Sequence, residues 1–411
     1  MIFVQIAAYR DPELLPTIRD CLAKAAWPDD LRFGICWQTD AEDRCLDPFL
    51  GSDRFRVQRV PWHESKGLCW ARAEIQKLYE GEEYTLQLDS HHRFAPGWDR
   101  FLLGSLESCG SAKPILTSYA GVYEPGKSET PPSGPFKMVA DRFTPSGTIL
   151  FRPRDIPGWR DLTGPVRARF VSGHFFLTLG RHCEEYRYDP QLYFAGDEIS
   201  LSIRSYTLGY DLFHPHRNVV WHEYTRAGRT KHWDDHIAKQ AEARIETPWH
   251  ERDALSKRRL RKMLREEDND EDIGGYGLGT VRGHADYERY AGIDFGRRLL
   301  QRATVEGADP PCAYVDEAQW EAGFLHEHRL TLRWRASDIE ACDDLQFVYF
   351  GVEDDDGRVL HRHDAPAGSP EARGEVESKE LVIAATTRPA KLVLWPVSRS
   401  RGWLKRTDYA L

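Results

Sequence analysis

Residues 84–92, Tyr-Thr-Leu-Gln-Leu-Asp-Ser-His-His, form an apolar stretch that ends in a cluster of polar side chains. Upstream of this stretch, the pattern of apolar residues predicts strands and helices that alternate along the chain. Strands are predicted at 2–8, 31–38, 55–60 and 84–88, and helices at 12–26 and 67–79. This alternation is typical of an α/β fold with an open, Rossmann-like, mostly parallel sheet. Because ligands of such sheets bind at the carboxyl ends of the strands, Asp89 and the residues after it mark the expected site.

The length and composition of the chain limit the classes of protein to which it can belong. Its 411 residues predict about two or three domains, and 41% hydrophobic residues with 13 Trp are sufficient for packed cores. A net charge of −9 argues against a nonspecific nucleic-acid binder, which needs a basic face.

The cysteines and the apolar runs bear on where the protein is found. The first residues are too short an apolar run, and wrongly flanked, for a signal peptide. No apolar run reaches the roughly 18 residues that a membrane span needs. Eight scattered cysteines without a CxxC pair favour a reduced, cytoplasmic protein and disfavour a zinc ribbon.

Three regions are predicted along the chain. The α/β domain covers 1–245, a helical and loop extension covers 246–305, and a β-rich domain covers 306–411. Predicted elements beyond the first sheet strands are a strand at 170–179, a helix at 198–208, a short strand at 219–221, and strands at 330–334, 345–350, 380–384 and 391–396. The spacing of the last four indicates a small β-sandwich. The Pro- and Gly-rich region 120–170 indicates a long excursion, in which 124–136 is a candidate lid.

Asp89 and His91 lie two positions apart in an extended segment, so their side chains point to the same side of the chain. A carboxylate and an imidazole suit Mn²⁺ among other divalent ions. A third ligand is predicted at His222, after the short strand at 219–221, with weaker competitors at His214, His216, His232 and His236. The structural alternative is a strand end with an Asx turn, two surface histidines and a packed or solvated His222.

Two adjacent carboxylates, Asp197 and Glu198, follow Gly196 at the start of a predicted helix. In the structural interpretation they interact favourably with the helix dipole. In the functional interpretation one of them faces a reacting sugar, where a carboxylate binds hydroxyl groups or stabilises an oxocarbenium-like centre. The pattern alone leaves both interpretations open.

Taken in order, these segments resemble GT-A glycosyltransferases that act on polypeptides. Two retaining families are similar, the mucin-type polypeptide GalNAc-transferases and, more closely, the cytoplasmic hydroxyproline-polypeptide GlcNAc-transferases. The stretch 87–94 (Gln-Leu-Asp-Ser-His-His-Arg-Phe) is similar to the metal motif of the second family and 194–198 (Phe-Ala-Gly-Asp-Glu) to its acidic helix start. Residues 277–282 and 287–295 are similar to its C-terminal signature, and Gly67-Leu68 with Ala71-Arg72 to an element that precedes the metal motif in both families. The likeness covers about residues 1–300, and the β-rich region lies outside it.

The resemblance implies a GT-A fold, a UDP-sugar donor and a divalent ion, usually Mn²⁺. It implies that this ion is bound by Asp89, His91 and His222. Donor contacts follow from the same likeness, with Arg72 near the diphosphate or the sugar and the remaining contacts at Ala8, Tyr9, Arg10, Asp40, Asp89 and Ser90. The Ser and His of the motif match these families and depart from the commoner Asp-x-Asp enzymes.

The expected function is therefore metal-dependent retaining transfer of a sugar, GlcNAc by the likeness, from a UDP-sugar to an acceptor hydroxyl. The likeness places that hydroxyl on a peptide or protein, and Asp197 or Glu198 would orient the sugar or stabilise positive charge. A metal-dependent hydrolase or nucleotidyltransferase is an alternative, although such sites usually gather more carboxylates around two ions. A carbohydrate-binding protein with a degenerate transferase domain is the other alternative. No nucleic-acid partner and no membrane span are expected.

Overall fold

The computed structural model describes residues 1–127, 133–225, 228–237 and 245–411. The chain divides into two compact units, Met1–Ala313 and Tyr314–Leu411, and residues 246–305 belong to the first. Part of the candidate lid, residues 128–132, lies outside the described residues. No helix of the described part of the chain is long and apolar enough to cross a membrane.

The first unit contains a central sheet, a small three-stranded sheet and additional strand pairs. Its strands are β1 (Ile2–Tyr9), β2 (Leu31–Thr39), β3 (Phe55–Pro61), β4 (Tyr84–Asp89), β5 (His92–Phe94), β6 (Pro114–Thr117), β7 (Gly121–Val122), β8 (Phe136–Phe143), β9 (Ile149–Asp155), β10 (Val166–Arg167), β11 (Phe175–Leu179), β12 (Asp211–His214), β13 (Val220–His222), β14 (Ile293–Asp294) and β15 (Leu299–Gln301). Its helices are α1 (Leu14–Lys24), α2 (Leu68–Gln76), α3 (Trp98–Ser108), α4 (His182–Glu185), α5 (Asp197–Thr207), α6 (His232–Asp235), α7 (Trp249–Met263), α8 (His284–Ala291) and α9 (Arg302–Glu306).

The central sheet has the strand order β10-β12-β6-β11-β4-β1-β2-β3. Strands β4, β1, β2 and β3 are parallel neighbours, whereas β11 runs antiparallel between β4 and β6. The α/β class with a mostly parallel sheet, predicted from the sequence, is confirmed. The register pairs Ala7 with Asp89, so the ends of β1 and β4 reach the same edge of the sheet.

Strand β1 is apolar except for the buried Gln5 because both of its faces are covered. Ile2, Val4 and Ile6 belong to one hydrophobic cluster, and Phe3 and Ala7 belong to another on the opposite face. Burial on both faces is the usual situation of a central parallel strand. Because β4 runs parallel to this central strand, Asp89 lies at the carboxyl end of the buried part of the sheet.

Two elements of the first unit differ from the sequence prediction. Of the strand predicted at 170–179, only Phe175–Leu179 forms one. The segment before it is a buried loop, because its backbone N–H groups donate to side chains and not to a neighbouring strand. The N–H of Val171 donates to the hydroxyl of Ser202, and the N–H of Ser172 donates to the hydroxyl of Thr117. The excursion at 120–170 contains an antiparallel hairpin, β8–β9, whose loop ends at Ile149.

The second unit is β-rich, as predicted, and its strands run antiparallel. Its elements are α10 (Glu317–Ala322), β16 (Phe324–Arg333), β17 (Leu345–Glu353), β18 (Val359–Pro366), β19 (Ser378–Ala385), β20 (Lys391–Ser398), β21 (Gly402–Trp403) and β22 (Thr407–Ala410). Strand β16 pairs with β19, and β17 lies between β18 and β20. Apolar residues of both sheets share one core. The sequence pattern missed β18 because half of its residues are polar and only Ala365 is buried.

Candidate active site

The carboxyl end of β4 carries the first of the three side chains predicted to bind a metal ion. β13 pairs antiparallel with β5 and places His222 opposite His92, the neighbour of His91. As a result, Nε2 of His222 lies 3.4 Å and Nε2 of His91 lies 3.7 Å from Oδ2 of Asp89. One potential ligand atom from each of the three residues lies within 4.8 Å of the others. The structure thus brings together the residues that the sequence separates by more than a hundred positions.

The charges of this cluster suit a divalent cation. Burial raises the pKa of Asp89, but the hydrogen bond with His222 and the electrostatic effect of the neighbouring His91 ring and Arg72 guanidinium outweigh it and hold that pKa well below its usual range. Burial lowers the pKa of His222 well below its usual value, which keeps this imidazole in the neutral form that binds metals. One carboxylate and two imidazoles form a donor set that fits Mn²⁺ and related ions.

Arg72 is a buried cation that connects this cluster to the acidic helix start. Its Nη2 lies 3.1 Å from Oδ1 of Asp89, and its Nη1 donates to Oδ2 of Asp197. The guanidinium also donates to the carbonyl oxygen of Gly173. A Cβ at Gly173 would lie 2.9 Å from Oδ2 of Asp197 and 3.2 Å from Nη1 of Arg72, so a larger residue would require this ion pair to shift.

The two adjacent acids at the start of α5 have different surroundings. Asp197 is 4% exposed, and its Oδ1 has no hydrogen-bond partner among the described residues. Glu198 accepts hydrogen bonds from the hydroxyl of Tyr119 at 3.0 Å and from the backbone N–H of Gly173 at 3.1 Å. Burial raises the pKa of Glu198 to about 7.

Two clefts meet at the metal-ligand cluster and share Asp89 and His222 in their walls. The first cleft is lined by the ends of β1 and β2, the start of α2 and residues 229–233. The second is lined by Arg72, both acids of α5, Tyr119 and the 148–151 segment of the β8–β9 hairpin. At the start of α2, Gly67 has a φ of +110°, and a Cβ there would lie 2.6 Å from the ring of Tyr193. Because a Cβ here would clash with Tyr193, a glycine at this position allows α2 to begin at the wall of the first cleft.

The predicted donor contacts are divided between the first cleft and its surroundings. Tyr9 and Ser90 line the cleft together with Ala7, whereas Ala8 is fully buried. Arg10 and Asp40 lie outside the lining and pair with each other at 3.1 Å. Their roles as donor contacts remain predictions.

The four competing histidines do not belong to the metal-ligand cluster of the described residues, although His232 lines the first cleft. The competing histidines have different contacts: His214 with the Thr117 carbonyl, His216 with the Phe101 ring, His232 with the Tyr193 hydroxyl and His236 with the Trp62 carbonyl. The described residues of the candidate lid, 124–127 and 133–136, line neither cleft. The lid role stays a prediction.

The sequence interpretation did not identify several residues of the site. Asp11, immediately after β1, contacts His91, and Gln38 at the end of β2 lines the first cleft. His174 packs on His222 with 4.4 Å between ring centroids. The rule that ligands bind at the carboxyl ends of parallel strands points to Asp11 and Gln38, but no local pattern indicates His174.

Comparisons with known proteins identify the family of the chain. The family model described as Glycosyltransferase (GlcNAc) matches residues 1–49 and 46–297, which confirms the family resemblance inferred from the sequence. No curated protein matches the sequence.

Among solved structures, GalNAc-T7 with UDP, GalNAc and Mn²⁺ is 17% identical with a TM-score of 0.48, covering 70% of this chain and 54% of that one. Staphylococcus aureus TarS 1-349 in complex with UDP-GlcNAc is 11% identical with a TM-score of 0.37, covering 64% of this chain and 72% of that one. The match thus spans about half the length of the GalNAc-T7 chain.

Proposed function

The chain belongs to the glycosyltransferase (GlcNAc) family, and we propose that it is a retaining enzyme that moves GlcNAc from UDP-GlcNAc to a hydroxyl group on a peptide or protein. The observation that carries the proposal is the meeting of two clefts at one cluster of a carboxylate and two imidazoles, Asp89, His91 and His222. One cleft can take the nucleotide and the other the sugar and acceptor, with the diphosphate between them.

The first cleft suits a nucleoside diphosphate. Its wall combines an aromatic ring, from Tyr9, with a side-chain amide, from Gln38, and apolar surface with a few polar groups is typical of cofactor sites. A divalent cation held by Asp89, His91 and His222 would offset the negative charge that develops on the diphosphate leaving group. The position of the three ligands at the border of the two clefts supports this assignment.

The second cleft suits the transferred sugar. Asp197 Oδ1 is a buried acceptor without a partner among the described residues, and such groups are costly unless a ligand or water satisfies them. We assign this atom to a sugar hydroxyl, with Arg72 holding the opposite carboxylate oxygen. The cation–carboxylate contact favours the ionised form of Asp197 and orients the carboxylate while the sugar is bound.

The acceptor would enter the second cleft beside Glu198. In its ionised form this carboxylate can accept a hydrogen bond from the acceptor hydroxyl, while Tyr119 and the Gly173 N–H keep it in place. Retention requires attack from the face that the leaving group occupies, and a phosphate oxygen of the departing UDP would then take the hydroxyl proton. Leu150 at the rim, 41% exposed, offers apolar contact to the rest of the acceptor.

We also propose that the enzyme acts in the cytoplasm. Its eight cysteines are free, as expected for a protein of a reducing compartment.

The test is release of UDP from UDP-GlcNAc, UDP-GalNAc and UDP-glucose in the presence of Mn²⁺, with and without EDTA. The proposal expects preferential turnover of UDP-GlcNAc that EDTA abolishes. It further expects a loss of roughly 10²-fold or more in His222→Ala, while the matched variant His326→Ala, at an exposed histidine of the second unit, keeps full activity. Turnover that survives EDTA and the separate replacement of Asp89, His91 and His222 by Ala would refute it. A search for an N-acetylhexosamine adduct on host proteins, with and without the gene, tests the acceptor.

A further inference from the structure

We propose that Asp11 is a positioning residue that fixes the tautomer of His91 and so determines whether this imidazole can bind the cation. The inference rests on the metal site of the proposed function. Asp11 lies in the turn between β1 and α1, distant in sequence from the three ligands, and the family resemblance assigned it no role.

The contacts of Asp11 are those of a buried acceptor. Its side chain is 2% exposed, and its Oδ2 lies 2.7 Å from Nδ1 of His91 and 2.7 Å from Oγ of Ser90. Its Oδ1 accepts from the backbone N–H of Glu13 at 2.9 Å. Oδ2 also accepts from Nη1 of Arg229 at 3.1 Å. The two carboxylate oxygens therefore have separate tasks, one in the turn and one shared by the imidazole, Ser90 and Arg229.

The contact with Asp11 favours one form of the His91 ring. An ionised carboxylate can only accept hydrogen bonds, so it favours the form in which Nδ1 of His91 carries the proton and Nε2 keeps its lone pair. Nε2 is the nitrogen that faces Asp89 Oδ2, at 3.7 Å. Nη1 of Arg229 lies 2.9 Å from this Nε2, where a donor is compatible with an unprotonated nitrogen. The same Nη1 also lies against Nδ1 and Asp11, so Arg229 competes with His91 for the Asp11 carboxylate. A carboxylate that holds the far nitrogen of a metal-binding histidine is a recurrent arrangement that orients the ligand.

The other imidazole of the cluster has no such anchor. Nδ1 of His222 is buried without a hydrogen-bond partner among the described residues. The orientation of His91 is thus fixed from behind, whereas that of His222 is fixed by its strand and by ring packing. Among the three metal ligands His91 is the one that Asp11 contacts, so loss of the Asp11 carboxylate should act on the metal through this ligand.

Asp11→Asn separates the two tasks of this side chain. The amide oxygen can still accept from Glu13 N–H, but the NH₂ group then faces Nδ1 of His91. The ring must take the other tautomer to accept this hydrogen bond, which puts a proton on the nitrogen that faces the cation. We expect Mn²⁺ affinity, measured by isothermal titration calorimetry without any UDP-sugar, to fall about 10- to 100-fold.

Asp43→Asn is the matched control. Asp43 follows β2 as Asp11 follows β1, and it likewise accepts from a backbone N–H two residues on, that of Cys45 at 3.0 Å. Its other oxygen accepts from Thr39 at 2.6 Å, and it does not touch the metal cluster. Asp43→Asn should leave Mn²⁺ affinity unchanged. In a His91→Ala background, Asp11→Asn should cost no further affinity, because the two residues act through the same ligand.

A measurement on the unmutated protein covers the case in which Asp11→Asn fails to fold. With ¹⁵N-labelled histidine, and His91→Gln for assignment, NMR should show Nδ1 of His91 protonated. Each of three results would overturn the inference. The first is an unprotonated Nδ1 of His91 in the parent protein, and the second is equal Mn²⁺ affinity of Asp11→Asn and the parent. The third is a loss of Mn²⁺ affinity by Asp11→Asn that is as large in the His91→Ala background as in the parent. These failures differ from that of the proposed function, in which the parent itself neither binds Mn²⁺ nor turns over UDP-GlcNAc.

Discussion

Replacing Arg72 by Met would test whether the buried cation holds the two halves of the site together. Arg72 is 2% exposed, and its guanidinium contacts Asp89 and Asp197 with different nitrogens. Asp89 would retain its two histidines, but Asp197 would lose its ion-pair partner. Removing one member of a buried pair typically costs about 3–5 kcal/mol, because a buried charge is left uncompensated.

The cost of Arg72→Met should depend on pH. Burial already raises the pKa of Asp197 above its ordinary value of 3.8, and loss of the Arg72 charge would raise it further. Between the unfolded and the folded pKa, the folded state then binds a proton that the unfolded state does not bind. The stability of the variant therefore falls as pH rises through this window, by up to about 1.4 kcal/mol per pH unit. The variant should be less impaired at pH 5.5 than at pH 8.

Hydrogen exchange followed by mass spectrometry suits this measurement, because peptides from β1 and β4 report on the first unit alone. At pH 8 a loss of about 3–5 kcal/mol corresponds to a roughly hundredfold to few-thousandfold loss of protection for amides that exchange by global unfolding. Arg44→Met is the control, since the side chain of Arg44 is 67% exposed and lies 3.9 Å from its partner Asp47. Its loss should change stability by no more than about 0.5 kcal/mol. Equal protection in the two variants, or a loss in Arg72→Met that does not vary with pH, would refute the reasoning.

Three further outcomes are expected from the second cleft. Burial raises the pKa of Glu198 to about 7, and the carboxylate is the form that accepts a hydrogen bond from the acceptor hydroxyl, so kcat should rise with pH through about 7. Glu198→Gln should be slower and lose this pH dependence. A pH profile of Glu198→Gln identical to that of the parent would count against the assignment. Gly173→Ala places a Cβ 2.9 Å from Asp197 Oδ2. This variant should lower kcat about 10- to 100-fold with little change in UDP affinity. A variant with parental kcat would show that the contact relaxes without consequence. Leu150→Asp should raise the KM for a polypeptide acceptor several-fold and leave UDP binding by calorimetry unchanged, whereas an effect on UDP binding alone would place Leu150 with the donor.

Much of the fold follows from patterns that are local in the sequence. The apolar runs of β1, β2 and β4 and the helical spacing of α1 and α2 predict a parallel sheet, because only strands covered on both faces are apolar throughout. The Asp-x-His spacing at Asp89 and His91 likewise depends only on the alternation of side chains in an extended chain. The predictions failed where tertiary contacts replace a local rule, as in the buried loop before β11.

The sequence by itself determined the α/β sheet, the family and the identity of the candidate metal ligands, since each of these depends on residue type and short-range spacing. Only the tertiary structure decided how the candidate residues divide their tasks. Asp197 and Glu198 are neighbours on a helix, about 100° apart around its axis, so one contacts Arg72 and the other contacts Tyr119. Asp11 meets His91 across 80 residues of chain. Such contacts depend on which strand ends lie side by side, and a linear pattern does not contain that information.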